Sequence, residues 1–482
     1  MFFSSYSGKV FRVTLVTLAV SLLIPLIGAI ILLESPIEPQ YLSFPEPPLM
    51  SEALEPNFKL RQAERLFEGQ LIGPESMANI GGVLYTGTAD GKIIKIEDGK
   101  MHTLATLGRP PCGTQKDELT CGRPLGIRAS QNRTLFVADA YLGIFEVNPF
   151  TGKVEVLVPT RIPVNGKSLS FVNDLDVTRD GRKIYFTDSS SKWQRRDYAY
   201  LIMEGINDGR SALIDSLRVR KRRSRTENQP GEKKTRKCHS ETHLQGAGIV
   251  YHRLVCLWFC LPSLVNQTTD PQRHLRDKLK NSTPKIKLGT CAVLPNPPVC
   301  LLCHLLEYDT FTKEVTVLMD DLRFPNGVQL SPNEDFVLVA EMTMARIRRC
   351  YVSGLNKGGL DLFVENLPGF PDNIRSSSSG GYWVAMSAVR PNPGFSMLDF
   401  LSQKPWIKKI IFKLLSQEAL MQFLPKYSLV MELYDNGVCK RSFHDPHGTV
   451  ATYVSEAHEL DGYLYLGSFR SPFLCRLNLS EV

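Results

Sequence analysis

The sequence predicts an all-β fold, a six-bladed β-propeller, preceded by one N-terminal transmembrane helix. A short unit of turn, strand and second strand recurs six times between residues 81 and 477, and one stretch near the N-terminus is apolar and uncharged. Repeated sheet-forming units are typical of radial β architecture. The chain has 482 residues, of which 43% are hydrophobic and 22% charged, so it can bury a large core, and it is neither a disordered chain nor a short disulfide scaffold.

The first element is a predicted membrane anchor over residues 13–33, which carry no charge. At about 1.5 Å per residue, this stretch can cross a hydrocarbon layer of roughly 30 Å. A cleaved signal peptide is the alternative, but the stretch is longer than the usual apolar region of such peptides and ends without a small-x-small site.

The charges around the anchor predict its orientation. Lys9 and Arg12 precede it, whereas Glu34 and Glu38 follow. The positive-inside bias therefore predicts a cytoplasmic tail at 1–12 and a type II protein of the plasma membrane or endoplasmic reticulum, with its propeller outside the cell or in the lumen. The Pro-rich residues 34–56 predict an extended stalk leading away from the bilayer to a propeller over 57–482.

The six repeated units begin at residues 81, 133, 182, 335, 380 and 461. In each, a strand ends in a small or acidic residue and a second strand follows. A β-sandwich also has alternating strands, but it does not repeat one strand-turn-strand unit six times, so the propeller is the better interpretation.

Residues 211–304 interrupt the repeat and predict an inserted segment. They hold 17 Lys and Arg against 6 Asp and Glu, and six of the 11 cysteines. Without them, Arg210 followed by Leu305 aligns with Gly143–Leu157 at six identities in fifteen positions. We expect a disordered insertion, with an ordered domain as the alternative. Because the rest of the chain is slightly acidic, no nucleic-acid partner is predicted.

Loops before the strands carry oxygen-bearing side chains at matched positions. Asn173, Asn326 and Asp372 each precede the equivalent strand position of their unit by 11 residues. Equal spacing predicts equal placement in each blade, so these oxygens should converge on the channel axis. Hard cations such as Ca²⁺ prefer such ligands, although Asn and Asp also commonly cap turns.

The loop sequences GPES, VND, FPNG and FPDN, with LYLGSF near the end, resemble the strictosidine synthase-like branch of the calcium-dependent six-bladed propellers. Paraoxonases and diisopropylfluorophosphatase are more distant relatives. The resemblance covers residues from about 57 to 210 and from 305 to 482. It implies a catalytic Ca²⁺ in the channel, held by Glu75, Asn173, Asn326, Asp372 and Asn373. It also implies arylesterase or lactonase hydrolysis or, as in plants, an amine–aldehyde condensation.

The chain departs from the paraoxonase pattern at the residues that transfer protons. Leu125 stands where paraoxonases place a catalytic His, and the following strand offers no second His. Glu456 and His458, two residues apart on one strand face, are the predicted substitutes, with a solvated turn as the alternative and Glu459 as another candidate. No G-x-S-x-G motif is present, which argues against a serine hydrolase of the α/β type.

These residues predict a membrane-anchored, calcium-dependent hydrolase of small aryl esters or lactones. In it, Ca²⁺ would act as a Lewis acid. The alternative is a non-catalytic cell-surface binding propeller in which Ca²⁺ only joins the blades.

Three accessory features complete the interpretation. Cys112 and Cys121 are predicted to form a disulfide outside the cytoplasm, and Asn132 is the most accessible glycosylation acceptor. Residues 396–424 have apolar side chains at helical spacing and predict helices that cap the channel mouth. Their lysines and aromatic residues also suit a membrane interface.

Overall fold

The computed structural model describes residues 2–164, 166–205 and 303–482. The predicted insertion, residues 211–304, lies outside these ranges except for its last two residues. Its boundaries and its disorder therefore stay predictions.

The six-bladed propeller is confirmed. The described residues form six four-stranded antiparallel sheets, and the inner strand of each sheet contacts the inner strand of the next around a closed ring. Strand β1 (Glu64–Leu66) belongs to the last sheet. The first sheet contains β2 (Met77–Ile80), β3 (Val83–Gly87), β4 (Lys92–Glu97) and β5 (Lys100–Thr106). The second contains β6 (Pro124–Ala129), β7 (Leu135–Asp139), β8 (Gly143–Val147) and β9 (Val154–Pro159).

The remaining strands follow in the same order, each blade running from the axis outward. A small hairpin, β10 (Pro163–Val164) and β11 (Lys167–Ser168), precedes the third blade. That blade contains β12 (Val172–Val177), β13 (Lys183–Asp188), β14 (His304–Asp309) and β15 (Val315–Met319). The fourth contains β16 (Pro325–Leu330), β17 (Phe336–Glu341), β18 (Arg346–Tyr351) and β19 (Leu360–Val364). The fifth contains β20 (Gly369–Ser376), β21 (Tyr382–Val389), β22 (Ser428–Leu433) and β23 (Cys439–Asp445).

The last blade joins the two ends of the propeller. It contains β24 (Val454–Leu460), β25 (Tyr463–Ser468), β26 (Leu474–Asn478) and β1. Strand β1 pairs with β26 so that Glu64 lies opposite Arg476. The N-terminal strand therefore closes the ring.

The helices of the described residues lie at the N-terminus and in the connections between strands. They are α1 (Phe2–Leu32), α2 (Glu118–Cys121), α3 (Tyr198–Glu204), α4 (Met397–Ser402), α5 (Pro405–Leu414) and α6 (Gln417–Met421). Short 3-10 helices cover Glu52–Leu54, Lys59–Gln62, Arg195–Asp197 and Met342–Met344. Within α1, the 22 residues Phe11–Leu32 are long and apolar enough to be a candidate membrane span.

The direction of the strands places the helices of the propeller at one end of the channel. An inner strand runs away from this end and the second strand returns to it, so the connections after β13 and β21 lie there. Helix α3 follows β13, and α4, α5 and α6 lie between β21 and β22. The predicted cap at 396–424 is thus helical and lies at the end where the inner strands begin.

The core lies between adjacent blades. Phe136 and Ile144 of the second blade pack against Leu175 and Phe186 of the third. Alternate residues of each strand face opposite sides of the sheet, so each blade contributes apolar side chains to two neighbouring interfaces.

The Pro-rich segment 34–56 differs from the predicted stalk because it packs on the propeller. Ile37 is fully buried among Ala199, Leu401 and Phe412. The Leu42 amide donates to the Ser402 carbonyl over 3.0 Å. The prolines keep the segment extended, as expected, but the apolar side chains between them find buried partners, and burial outweighs solvation of an open chain.

The predicted disulfide between Cys112 and Cys121 is confirmed, with 5.4 Å between the Cα atoms. It closes a loop between the first and second blades. Asn132 is exposed in the turn between β6 and β7, which makes it accessible to a glycosyltransferase, and its glycosylation stays a prediction.

We predict that Ile37→Ala detaches the Pro-rich segment. Deleting a fully buried Ile side chain typically costs about 2–5 kcal/mol. We expect a lower Tm and faster cleavage of residues 34–56 in limited proteolysis. Tyr41→Ala is the matched control, because Tyr41 is in the same segment but 60% exposed. Equal cleavage of both variants and the parent chain would contradict the packing.

Candidate functional site

A cavity of about 110 Å³ lies at the end of the channel where the inner strands begin. Its walls are mainly apolar side chains from α3, the cap helices and the blade loops, including Phe171, Ile202, Phe324, Leu398, Phe412 and Phe469. Oxygen-bearing side chains from four blades also line it, namely Glu75, Asn173, Asn326 and Asp372. The structure therefore brings four of the five predicted metal ligands to one cavity.

A β-bulge near the start of the inner strands places these side chains. In β12, Val172 pairs with Asp188 and Leu175 pairs with Phe186, so two residues oppose one. The same register shift occurs near the start of β6, β16, β20 and β24. A bulge allows consecutive residues to face the same way. Asn173 therefore lines the cavity while Asp174 faces the channel below it.

Acidic residues at the ends of the second strands hold the loops that carry the ligands. The buried Asp188 accepts hydrogen bonds at Oδ1 from the amides of Ser170 (3.2 Å) and Phe171 (2.8 Å). Glu341 Oε1 accepts from the Arg323 amide over 3.0 Å. Burial raises the pKa of Asp188 to about 7. These bonds fix the backbone just before Asn173 and Asn326.

Glu75 is held by a buried arginine. Arg123 is fully buried, and its guanidinium donates to Glu75 Oε2 over 3.2 Å and to the carbonyls of Gly73 and Phe469. Burial raises the pKa of Glu75, and the positive charges of Arg123 and Arg195 partly oppose this rise. The loop before β2 is thereby fixed with one carboxylate turned to the cavity.

Asp372 and Asn326 leave oxygens without partners. The Asn326 side chain hydrogen-bonds to Asp372, yet Asn326 Oδ1 and Asp372 Oδ1 are buried without any hydrogen-bond partner. Burial raises the pKa of Asp372 well above its usual value, and the carboxylates of Glu75 and Asp174 raise it further. Buried polar atoms normally have partners, so these two oxygens are available to bind a ligand.

The donor set fits a hard cation. Asn173 Nδ2 donates to Ser189 Oγ over 3.0 Å, which leaves the amide oxygen available to a ligand. Two carboxylates and two amides supply only oxygens, which Ca²⁺ accepts as ligands. Within the described ranges, no group of three or more His, Cys, Asp or Glu suits a metal. A cation here would therefore depend on the amide oxygens.

An ionic network fills the channel below the cavity. Arg375 donates to Asp174 Oδ2 (3.0 Å) and Ser76 Oγ (2.9 Å), and it also contacts Glu456 Oε2. Arg128 lies 3.5 Å from both Asp174 and Asp176. All these carboxylates are buried and paired, so the network forms a closed floor beneath the candidate site.

The predicted catalytic residues Glu456 and His458 lie in or beside this network and do not line the cavity. Glu456 Oε1 accepts from the Met77 amide over 2.8 Å, and burial raises the pKa of Glu456. His458 Nε2 contacts Asn79 Oδ1 at 3.0 Å, and burial lowers the pKa of His458 to about 3. The fifth predicted ligand, Asn373, donates to Glu456 Oε2 over 3.1 Å. These three residues contribute to the floor.

Sequence reasoning missed the arginines of the site and the whole of α3. Arg128 and Arg375 occupy the same position in β6 and β20, and this repeated charge on two innermost strands could have indicated an ionic network at the axis. Arg123, which directly precedes β6, has no such repeat in the sequence. Leu125, which stands at the paraoxonase His position, is buried in the cavity wall.

Comparison with known proteins agrees with this architecture. The family model described as strictosidine synthase matches residues 173–221 and 302–355, and the model described as strictosidine synthase-like, N-terminal, matches residues 53–96. Adipocyte plasma membrane-associated protein of Homo sapiens is 57% identical over 479 residues, covering 99% of this chain and 92% of that protein. Its Salmo salar counterpart is 58% identical over 480 residues, with 99% and 93% coverage.

More distant similarities extend to plants and bacteria. The protein strictosidine synthase-like 10 of Arabidopsis thaliana is 28% identical over 418 residues, covering 83% of this chain and 84% of that protein. A solved gluconolactonase of Xanthomonas campestris is 15% identical with a TM-score of 0.45, covering 92% of this chain and 98% of that one. At this identity and TM-score, no function is inferred from the solved structure.

We predict that Arg375→Met strongly destabilises the propeller. Removing one partner of a buried ion pair leaves uncompensated charge and typically costs about 3–5 kcal/mol. Arg349→Met is the control, because Arg349 pairs with the more exposed Asp361 on the outer edge of a blade and should cost about 1 kcal/mol or less. Denaturant unfolding of both variants measures the difference. Equal losses of unfolding free energy in the two variants would show that the central network stabilises the fold no more than an exposed ion pair does.

A second prediction concerns pH. The pKa of Asp188 is raised to about 7, so its folded form keeps a proton that the unfolded form loses near pH 4. Its favourable contribution is complete below about pH 4 and is lost as the pH rises to about 7, at about 1.4 kcal/mol per unit. Asp188→Asn keeps an oxygen acceptor and should flatten this slope in unfolding measured from pH 4 to 8. Parallel curves for variant and parent chain would contradict the raised pKa.

Proposed function

Because the chain belongs to the strictosidine synthase-like family, together with the adipocyte plasma membrane-associated proteins, we propose that it is a membrane-anchored, calcium-dependent hydrolase of aryl esters or lactones. One observation carries the proposal. Oxygen-bearing side chains from four separate blades line a single apolar cavity, and two of their oxygens have no hydrogen-bond partner.

Glu75, Asn173, Asn326 and Asp372 are the residues that would hold Ca²⁺. When bound, the ion would supply Lewis-acid polarisation of the ester or lactone carbonyl. Asn373 and Glu456, which are hydrogen-bonded to each other in the floor of the cavity, would support these four ligands from below.

The remaining chemistry falls to the residues of the cavity. The apolar wall, with Phe171, Phe324 and Phe412, seats an aryl or aliphatic group and excludes bulk water. Asp372 Oδ1 has no hydrogen-bond partner, so this oxygen is open to the cation. Arg195 lines the same cavity and provides positive charge for an anionic product.

The anchor and its orientation complete the proposal. Helix α1 contains the candidate span Phe11–Leu32, preceded by Lys9 and followed by Glu34. By the positive-inside bias, the propeller lies outside the cell or in the lumen. The confirmed disulfide suits such an oxidising compartment.

A non-catalytic binding propeller is the second candidate, and the structure contains an observation in its favour. Leu125 stands in the cavity wall, while Glu456 and His458 are engaged below it. No imidazole lines the cavity among the residues that the structure describes. In that case the cation would only join the blades.

We predict that turnover of aryl esters or lactones by the purified full chain is lost with a calcium chelator and with Asp372→Asn. Asp361→Asn, which changes an acidic residue on an outer strand, should keep full activity. Calcium titration by calorimetry should show tight binding that Asp372→Asn weakens. Calcium binding without turnover of any ester or lactone would favour the binding propeller, and absence of calcium binding would overturn the site itself.

A further inference from the structure

The outer surface of the cap carries exposed aromatic side chains beside the channel mouth. The inner face of the cap is buried, with Leu401 and Phe412 each less than 10% exposed. Four large aromatic residues are nevertheless 44–71% exposed, namely Phe400, Trp406 and Phe423 in the cap and Phe395 just before it. The cap therefore exposes aromatic side chains to its surroundings in addition to those that it buries against the propeller.

The cap is bonded to the end of α1. Lys413 Nζ, on α5, donates to the Ile30 carbonyl over 2.8 Å, and Lys409 Nζ pairs with Glu38 at 2.6 Å. Ile30 lies within the candidate span, two residues before its end. Helix α5 is thus in direct contact with the segment that would leave the bilayer.

The short chain between the candidate span and the cap also limits the distance of the cap from the membrane. Ile37 is buried against Leu401 and Phe412, and the candidate span ends at Leu32. Five residues extend at most about 18 Å. The headgroup region on each side of the hydrocarbon is about 5–8 Å deep. Together with the hydrogen bond from Lys413 to Ile30, this short connection keeps α5 close to the headgroups whenever α1 spans the membrane.

We propose that the outer surface of the cap lies in the membrane interface, with Phe395, Phe400, Trp406 and Phe423 inserted among the headgroups. Helix α5 carries Trp406 together with Lys409 and Lys413, and a helix with aromatic and lysine side chains suits this position. The mouth of the cavity then faces the bilayer. Resting on the proposed hydrolysis, the preferred substrates are esters or lactones lipophilic enough to partition into the membrane.

Tryptophan fluorescence of the full chain in nanodiscs tests the position of the cap. Trp406 is one of four tryptophans, and Trp406→Phe gives the background of the other three. Lipids brominated on their acyl chains near the headgroup quench a tryptophan that inserts among them. We expect the Trp406 signal, taken as the difference between parent chain and Trp406→Phe, to be strongly quenched.

The matched control is Phe311→Trp in the Trp406→Phe background. Phe311 is 82% exposed in the turn between β14 and β15, at the opposite end of the channel. Its added signal should be unaffected by the brominated lipids. Equal quenching at both positions, or none at Trp406, would overturn the proposal. An unquenched Trp406 that becomes protected by an added protein would assign the aromatic surface to a protein partner instead.

A second measurement addresses the substrate class. A Phe400→Ser and Trp406→Ser double variant in nanodiscs should show a several-fold higher KM for a long-chain aryl ester and an unchanged KM for a short, water-soluble one. Equal effects on both esters would contradict delivery from the bilayer. If neither ester is hydrolysed by the parent chain, the proposed hydrolysis fails, while the fluorescence result still decides the position of the cap.

Discussion

Two arginines connect the six blades at the centre of the ring. Arg375 of the fifth blade reaches Ser76 beside the first, Asp174 of the third and Glu456 of the sixth. Arg128 of the second blade contacts Asp174 and the Val328 carbonyl of the fourth. In a low dielectric such charges are stable only when every one is paired, so the geometry of the centre is tightly constrained. The positions of all six inner strands, and hence of the cavity above them, depend on this pairing.

The bulge connects this network to the candidate site. Because it turns two consecutive side chains toward the axis, Asn173 and Asp174 serve the cavity and its floor respectively. The same pattern gives Asp372 and Asn373 different roles, although they are adjacent in the chain. Gly327 is required at the corresponding position of β16, because a Cβ there would lie 2.5 Å from the Asp372 carbonyl oxygen. In β12 and β20, the residue that lines the cavity is thus followed directly by a residue that stabilises the floor.

The sequence was sufficient for the blades and for four cavity residues, because repeated spacing reports equal depth along equivalent strands. It was not sufficient to show which way each side chain points. A bulge changes the direction of a side chain while the spacing between repeats in the sequence stays the same. For this reason Asn373 and Glu456 were assigned to the cavity, whereas they lie in its floor. Helix α3 has seven residues, too few to show a helical period, and its contribution to the wall was missed. The packing of the Pro-rich segment depends on partners more than 150 residues away, such as Glu204, which accepts from the Glu38 amide.

The pairing of β1 with β26 has a consequence for biosynthesis. Strand β1 is among the first parts of the propeller to be made, and its partner β26 is the last strand that the structure describes. Glu64 and its partner Arg476 are 412 residues apart, so the final sheet cannot be completed until all the intervening blades have been made. Until then, β1 is an open edge within about 35 residues of the candidate membrane span, where it is exposed to pairing with other nascent chains. Closure of the ring accordingly comes after synthesis of the other blades, which makes its yield sensitive to chaperones that shield unpaired strands.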